Sequence, residues 1–197
     1  MTLHADALAV LSTWTPPSAG QAALRDRYVD HLARHGDAMT RSCYPDHLTA
    51  STLVLSPDLE RVLLTLHAKA GRWFQFGGHC EPSDLTLAGA AAREAAEESG
   101  LDDLTVGTVP VQLSEHEVPF CDPRGGVHHL DVRFLAVADE SAAHAVSDES
   151  LDVRWWPADR LPDPEPDLVE LVALARAQSM SEPGGDSTWA AADHPSR

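Results

Sequence analysis

The sequence predicts an α/β fold in which a mixed sheet is layered between helices, preceded by a helical extension. Three observations carry this. β-rich runs separated by turn residues begin at His47, two helical stretches are interleaved with them, and a Gly-Gly strand end opens into the first of those helices.

Taken in order, Pro16 and Pro17 separate the helix-like stretches Ala5–Trp14 and Ala19–His35. The second spaces Leu24, Tyr28, Leu32 and His35 along one face and stops at Gly36. Residues 1–40 are therefore expected as an N-terminal helical extension covering or flanking the core. Leu48–Ser56 and Arg61–His67 are rich in Val, Leu and Thr, and Ser56-Pro57-Asp58 supplies the turn of a hairpin. Trp73–Phe76 reads as a short strand running into Gly77-Gly78. A helix over about Leu85–Ser99 is closed by Gly100. Leu104–Pro119 and Val127–Ala138 are further strands, joined by the turn-rich stretch Cys121–Gly126, and Asp152–Trp156 is the last. Asp167–Ser179 completes a domain at 41–180 as an amphipathic helix. Residues 181–197 are polar, contain Gly and Pro, and are expected as a disordered tail.

With 197 residues, 43% of them hydrophobic, the chain can bury one good-sized core. No stretch approaches the ~20 apolar residues that a membrane span needs. Met1–Val10 lacks the Lys or Arg that opens a secretory signal, so a cytoplasmic protein without a membrane partner is expected. The net charge is −17, and Lys69 is the only lysine. Such a surface repels phosphate backbones, which excludes nucleic acid as a docking partner. A small anionic substrate stays compatible, provided a divalent cation reverses the local field. Cys43, Cys80 and Cys121 are odd in number and widely spaced, and read as reduced thiols. With His47, His79 and His128 they offer zinc ligands, but the spacing matches no familiar zinc motif.

The informative segment is Arg93-Glu94-Ala95-Ala96-Glu97-Glu98-Ser99-Gly100-Leu101. On a helix, Glu94 and Glu98 share a face at i and i+4, and Glu97 lies at i+3 from Glu94. Arg93 and Glu97 are also i and i+4, so the guanidinium can fix one carboxylate while the others point at a ligand. Two like charges ~4 Å apart repel by ~4 kcal/mol at an effective dielectric near ~20. Glu97 and Glu98 also sit in the last turn, where the helix dipole favours cations. Two readings follow: a solvated acidic face, or a site for a positive ion.

Gly77-Gly78-His79-Cys80-Glu81-Pro82-Ser83-Asp84 ends a strand ahead of that helix. The two halves together resemble the Nudix box, G-x5-E-x7-R-E-U-x-E-E-x-G-U, where U is bulky and apolar. Gly78 matches the first Gly; Arg93, Glu94, Glu97, Glu98, Gly100 and Leu101 match the distal half. The likeness extends over roughly residues 47–162, from the strand pair before the box to Arg154-Trp155-Trp156-Pro157 and Leu161-Pro162. In three respects the chain departs from the pattern. Asp84 replaces Glu, the spacer to Arg93 is eight residues rather than seven, and Ala95 replaces a larger apolar residue. Asp84 is expected to cap the box helix or support its loop, and not to bind metal.

What the resemblance implies is an alpha-beta-alpha sandwich holding Mg²⁺ or Mn²⁺, with water attacking phosphorus in a nucleoside diphosphate linked to another group. Glu94 and Glu98 would be metal ligands, Glu97 a ligand or the orienter of one, and the Gly78 carbonyl a contributor. Hard oxygen ligands suit Mg²⁺. Glu149, in the loop before Arg154, is either a fourth metal ligand or general base, or an exposed loop acid. Lys69, Arg72, Trp73 and Gln75 precede the box as candidate substrate contacts: Lys69 for phosphate, Trp73 for stacking on a base or as a core residue. Along His128–Arg133 alternation puts His129, Asp131 and Arg133 on one face, with His129 a pocket or structural histidine. The oligomeric state stays open, a homodimer resting on the N-terminal helices being one option. Two alternatives stay open: an isomerase of the isopentenyl diphosphate type, suggested by Cys80 beside His79, and a non-catalytic binding module on the same fold.

Overall fold

The computed structural model describes residues 1–181, apart from 102, 120, 143 and 147–149, together with the two-residue strand 189–190. Helices α1 (Leu3–Thr13) and α2 (Ala19–Arg34) begin where Thr2 and Ser18 place a hydroxyl against the N–H groups of Ala5 and Gln21. Strands β1 (Asp46–Leu55) and β2 (Arg61–His67) form the expected hairpin, with Val54 opposite Leu63.

The stretch expected as one strand at Trp73–Phe76 divides at Gln75. β3 (Arg72–Phe74) pairs with β2, and β4 (Phe76–His79) pairs with β1. The break lets the chain change neighbours, which brings Gly77 and Gly78 against the middle of β1. The box helix α3 (Leu87–Ser99) follows, two residues shorter at its start than expected. The single strand expected at Leu104–Pro119 is also two, β5 (Val106–Gly107) and β6 (Gln112–Glu117). Pro110 between them has no N–H to donate. β7 (His128–Val137), β8 (Ser150–Pro157), α4 (Pro166–Ser181) and β9 (Trp189–Ala190) complete the order, β9 pairing with β5. Apart from β9, the tail expected at 182–197 lies outside the described residues.

The sheet is mixed. β1 runs parallel to β7 from Asp46↔His128 to Leu55↔Val137, while β2, β4, β6 and β8 join antiparallel. Strand alternation sorts its faces: Leu48, Ala50 and Val54 pack toward α3, whereas Leu53 and Leu55 pack toward α4. These are the expected helix–sheet–helix layers. The N-terminal helices are built into the α3 side. Leu11 of α1 and Tyr28 and Leu32 of α2 are buried in one cluster with Leu87 and Ala91, and each such leucine contributes ~2 kcal/mol by burial. The Gln21 side chain also clasps the Leu113 backbone, donating to its carbonyl at 3.0 Å and accepting from its N–H at 2.7 Å. It thereby satisfies the β6 edge as a neighbouring strand would. Among the described residues, no helix is long and apolar enough to cross a membrane.

Candidate active site

The box helix starts at Leu87 because Thr86 caps it, accepting from the Gly89 N–H at 3.0 Å. Asp6 of α1 adds a second cap, its carboxylate accepting from the Leu87 N–H at 2.8 Å. Asp84 is therefore not the cap. It supports the loop: its carboxylate takes two bonds from the Arg93 guanidinium, at 3.1 and 3.0 Å, and one from the Glu81 N–H at 2.7 Å. The extra residue is absorbed in the loop ahead of the helix. Ala95 is fully buried in the core under α3, and Gly100 ends the helix in the left-handed conformation.

Arg93 is the hub of the box. Besides Asp84 it reaches Glu94 at 3.0 Å, Glu97 at 3.1 Å and the His79 carbonyl at 3.0 Å. These partners hold the guanidinium strongly protonated against the cost of its burial. Glu98 is buried, and its Oε2 accepts from the Gly77 N–H at 2.9 Å. The Glu94 carboxylate lies against Gly78, where a Cβ would come within 2.7 Å of its Oε2. A Cβ on Gly77 would fall 2.2 Å from that of Ser51, so that position requires glycine, whereas one on Gly78 would displace the Glu94 carboxylate. Glu94 and Glu98 thus converge on the Gly77–Gly78 strand end, where hard oxygen donors suit Mg²⁺ or Mn²⁺. Glu97 does not join them; it is exposed and paired with Arg93. Glu149 lies outside the described residues.

In front of the strand end opens a cavity of about 540 Å³. All five expected substrate contacts, Lys69, Arg72, Trp73, Gln75 and His129, line it, as do Gly78 and Glu98. Arg72 is paired with Glu165, and Trp73 packs edge-on to Trp156 with ring centres 5.2 Å apart, so it serves both core and cavity. The alternation expected along β7 holds: His129, Asp131 and Arg133 face the cavity, while Leu130 and Val132 enter the core. Buried Asp131 accepts from Thr49 at 3.0 Å, Ser51 at 2.7 Å and Arg133 at 3.0 Å. Burial pushes its carboxyl up, but the Arg133 charge and these bonds outweigh that and hold it below its ordinary range. Arg133 is anchored in turn by Asp167 and Gln112, each at 2.7 Å.

One wall of the cavity is a knot of imidazoles. His47 and His79 face each other with 3.1 Å between Nε2 atoms, and Cys121 Sγ lies 3.4 Å from His79 and from His129. Burial, reinforced by neighbouring charges, holds His79 neutral down to about 4 and His129 down to about 3. The sequence offered His47, His79 and Cys121 as zinc ligands together with Cys43, Cys80 and His128. The structure brings the first three together with His129 and leaves the rest out. His128 turns to Asp46 at 3.1 Å, and burial pushes the Cys80 thiol up to about 12. Glu165 and Asp167, which hold the cavity arginines, are found only in the structure. They belong to the segment entering α4, and nothing in its local pattern links it to the box.

The NUDIX domain family model matches residues 45–175. A NUDIX-family hydrolase from Clostridium perfringens is 22% identical, covering 67% of this chain and 97% of its own, with a TM-score of 0.53. The Escherichia coli dihydroneopterin triphosphate pyrophosphohydrolase, at 18% identity, covers 66% of this chain and 95% of its own with a TM-score of 0.55. The NUDIX domain of Shewanella oneidensis NrtR, solved with ADP ribose, is 23% identical and covers 76% of this chain and 97% of its own, also at 0.55. At these identities the likeness establishes the fold. No curated protein sequence matches significantly.

Proposed function

The chain belongs to the NUDIX domain family, and on that premise we propose that it is a pyrophosphohydrolase cleaving a nucleoside diphosphate joined to another group. Water attacks phosphorus, with Mg²⁺ or Mn²⁺ as cofactor. One observation carries the reading: Glu94 and Glu98 converge on the Gly77–Gly78 strand end beside a cavity that Glu98 lines. The Glu94 and Glu98 carboxylates and the Gly78 carbonyl would hold the cation. When bound, the cation neutralises substrate phosphates and lowers the pKa of coordinated water.

The chain's own residues then divide the work. Arg93 keeps Glu94 aimed at the strand end by bridging it to Glu97, and Asp84 locks Arg93. Lys69 and Arg72 on the cavity wall take phosphate oxygens, and Trp73 and Gln75 contact the nucleoside side. The acidic surface confines the partner to a small molecule rather than nucleic acid. A cytoplasmic setting is part of the proposal, in keeping with cysteines that are free. The isomerase reading draws no support from Cys80, which is absent from the described cavity lining.

The test is a panel of nucleoside diphosphate derivatives, scored for release of phosphate or nucleotide with Mg²⁺ and with Mn²⁺. Turnover that requires the metal supports the proposal. Tight binding of a panel member without turnover under either metal would overturn it in favour of a binding module.

A further inference from the structure

We infer that His47, His79, Cys121 and His129 form a zinc site, separate from the carboxylate site of the box. The inference does not rest on the proposed hydrolysis. Their ligand atoms, three Nε2 or Nδ1 nitrogens and one Sγ, all lie within 4.8 Å of one another. The nearest separations are 3.1 Å between the His47 and His79 nitrogens, and 3.4 Å from Cys121 Sγ to the His79 and His129 nitrogens. His47 Nε2 and Cys121 Sγ are 3.9 Å apart. A tetrahedral zinc ion with bonds of ~2.0–2.1 Å to nitrogen and ~2.3 Å to sulfur sets its ligands about 3.3–3.6 Å apart. The distances just given straddle that range and none of the others exceeds 4.8 Å, so side-chain adjustments close the shell.

Sheet register holds the histidines in place. His47 pairs with His129 across the parallel β1–β7 ladder, and Thr49, two residues along β1, pairs with His79 of β4. All three side chains therefore stand on the same face. Cys121 approaches from the segment between β6 and β7. The orientation of His47 is fixed as well. Its Nδ1 lies 3.2 Å from the Cys43 carbonyl, which can only accept, so Nδ1 carries the proton and Nε2 turns its lone pair on the cluster.

The donor set decides the ion. Three imidazoles and a thiol suit zinc or another late first-row divalent ion, whereas Mg²⁺ takes oxygen ligands. Binding releases the Cys121 thiol proton to solvent and leaves a thiolate on the metal. Four protein ligands fill a tetrahedral shell and leave no position for substrate. The site's task is thus to pin the Cys121 segment to β1, β4 and β7 at the cavity wall.

The full chain, expressed with zinc in the medium and dialysed, should carry one zinc per chain by elemental analysis. Replacing zinc with cobalt should give the visible bands of tetrahedral Co²⁺ and a near-ultraviolet thiolate-to-metal band. Cys121→Ser should lose the thiolate band, and His129→Ala should weaken zinc binding at least ~100-fold. Glu98→Gln, a change in the box, should keep its zinc. With millimolar Mg²⁺ already present to fill the box, zinc added to chelated wild-type protein should raise the melting temperature further, a readout that survives even if a variant fails to fold. A wild-type protein that neither carries zinc nor shifts its melting temperature with it overturns the site. So does a zinc content that Cys121→Ser and His129→Ala both leave unchanged.

Discussion

Gly78 and His79 are neighbours in the chain, yet they belong to two constellations of opposite character. Toward α3, Gly78 meets Glu94 in a group of hard oxygen donors whose mutual repulsion is relieved by Arg93. On the other side of β4, His79 meets His47, Cys121 and His129 in a nitrogen–sulfur knot. The first is confined to one strand–loop–helix unit. The second draws its members from β1, β4, β7 and the segment before β7. A site built within one helix can be read from spacing, because 3.6 residues per turn fixes which side chains share a face. One assembled across a sheet waits on register, which the sequence leaves unstated.

The sharpest way to break this comparison is to remove charge from the box without changing its shape. Glu98→Gln keeps an oxygen able to accept from the Gly77 N–H but loses a charged metal ligand. Turnover of whichever diphosphate proves to be a substrate should fall ~100-fold or more, equivalent to about 3 kcal/mol of transition-state stabilisation. The circular dichroism spectrum should be unaltered. Activity within a factor of two of wild type at saturating Mg²⁺ would remove Glu98 from the site.

Next in size is the loop that supports the box. Asp84 has a side chain only 6% exposed and holds Arg93 through two bonds. Asp84→Ala leaves that guanidinium without its main partner and should cost about 2–3 kcal/mol in urea unfolding. Thr86→Ala removes only a cap and should cost about 1 kcal/mol. Equal losses, or the reverse order, would mean that Asp84 is not the loop's anchor.

How far the sequence carried the reading follows the same division. The Glu94/Glu98 face, the αL stop at Gly100 and the two faces of His128–Arg133 were legible because each depends on local periodicity. Asp84 was half legible: support for the loop was foreseen, but the cap fell to Thr86, since the extra spacer residue let the helix begin later. His129 was legible as a pocket or a structural histidine, but its partnership with Cys121 was not foreseen, because the two residues lie on different elements. Lys69, Arg72 and Gln75 could be named from their position before the box, whereas Glu165, which pairs with Arg72, could not.

The N-terminal helices brace the two constellations separately, which gives two smaller tests. Asp6 of α1 caps the box helix at Leu87. Asp6→Ala should lower stability by about 1 kcal/mol while leaving the catalytic parameters within twofold, as expected for a cap remote from the carboxylates. A selective loss of turnover, with the melting temperature unchanged, would instead make α1 part of the site's positioning.

The smallest effect belongs to the other brace. Arg27 of α2 bonds Glu115 of β6 at 2.5 and 2.7 Å and Asp46 of β1 at 3.0 Å, beside the register step at which His116 pairs with His129. The hydrogen bonds from Arg27 lead in holding the Glu115 carboxyl below its ordinary 4.5, against the upward push of burial. A carboxyl depressed in the folded state contributes stability that is complete above its unfolded pKa. That contribution is lost as the pH falls through the lower folded value. Wild type should therefore exceed Glu115→Gln in stability near neutral pH, by no more than ~1 kcal/mol because the pair is partly exposed. The gap should close as acid protonates Glu115 in both states. Urea unfolding of the two proteins across an acid series reads this directly. A gap that persists unchanged at the acid end would assign the Glu115 contribution to packing and not to the ion pair.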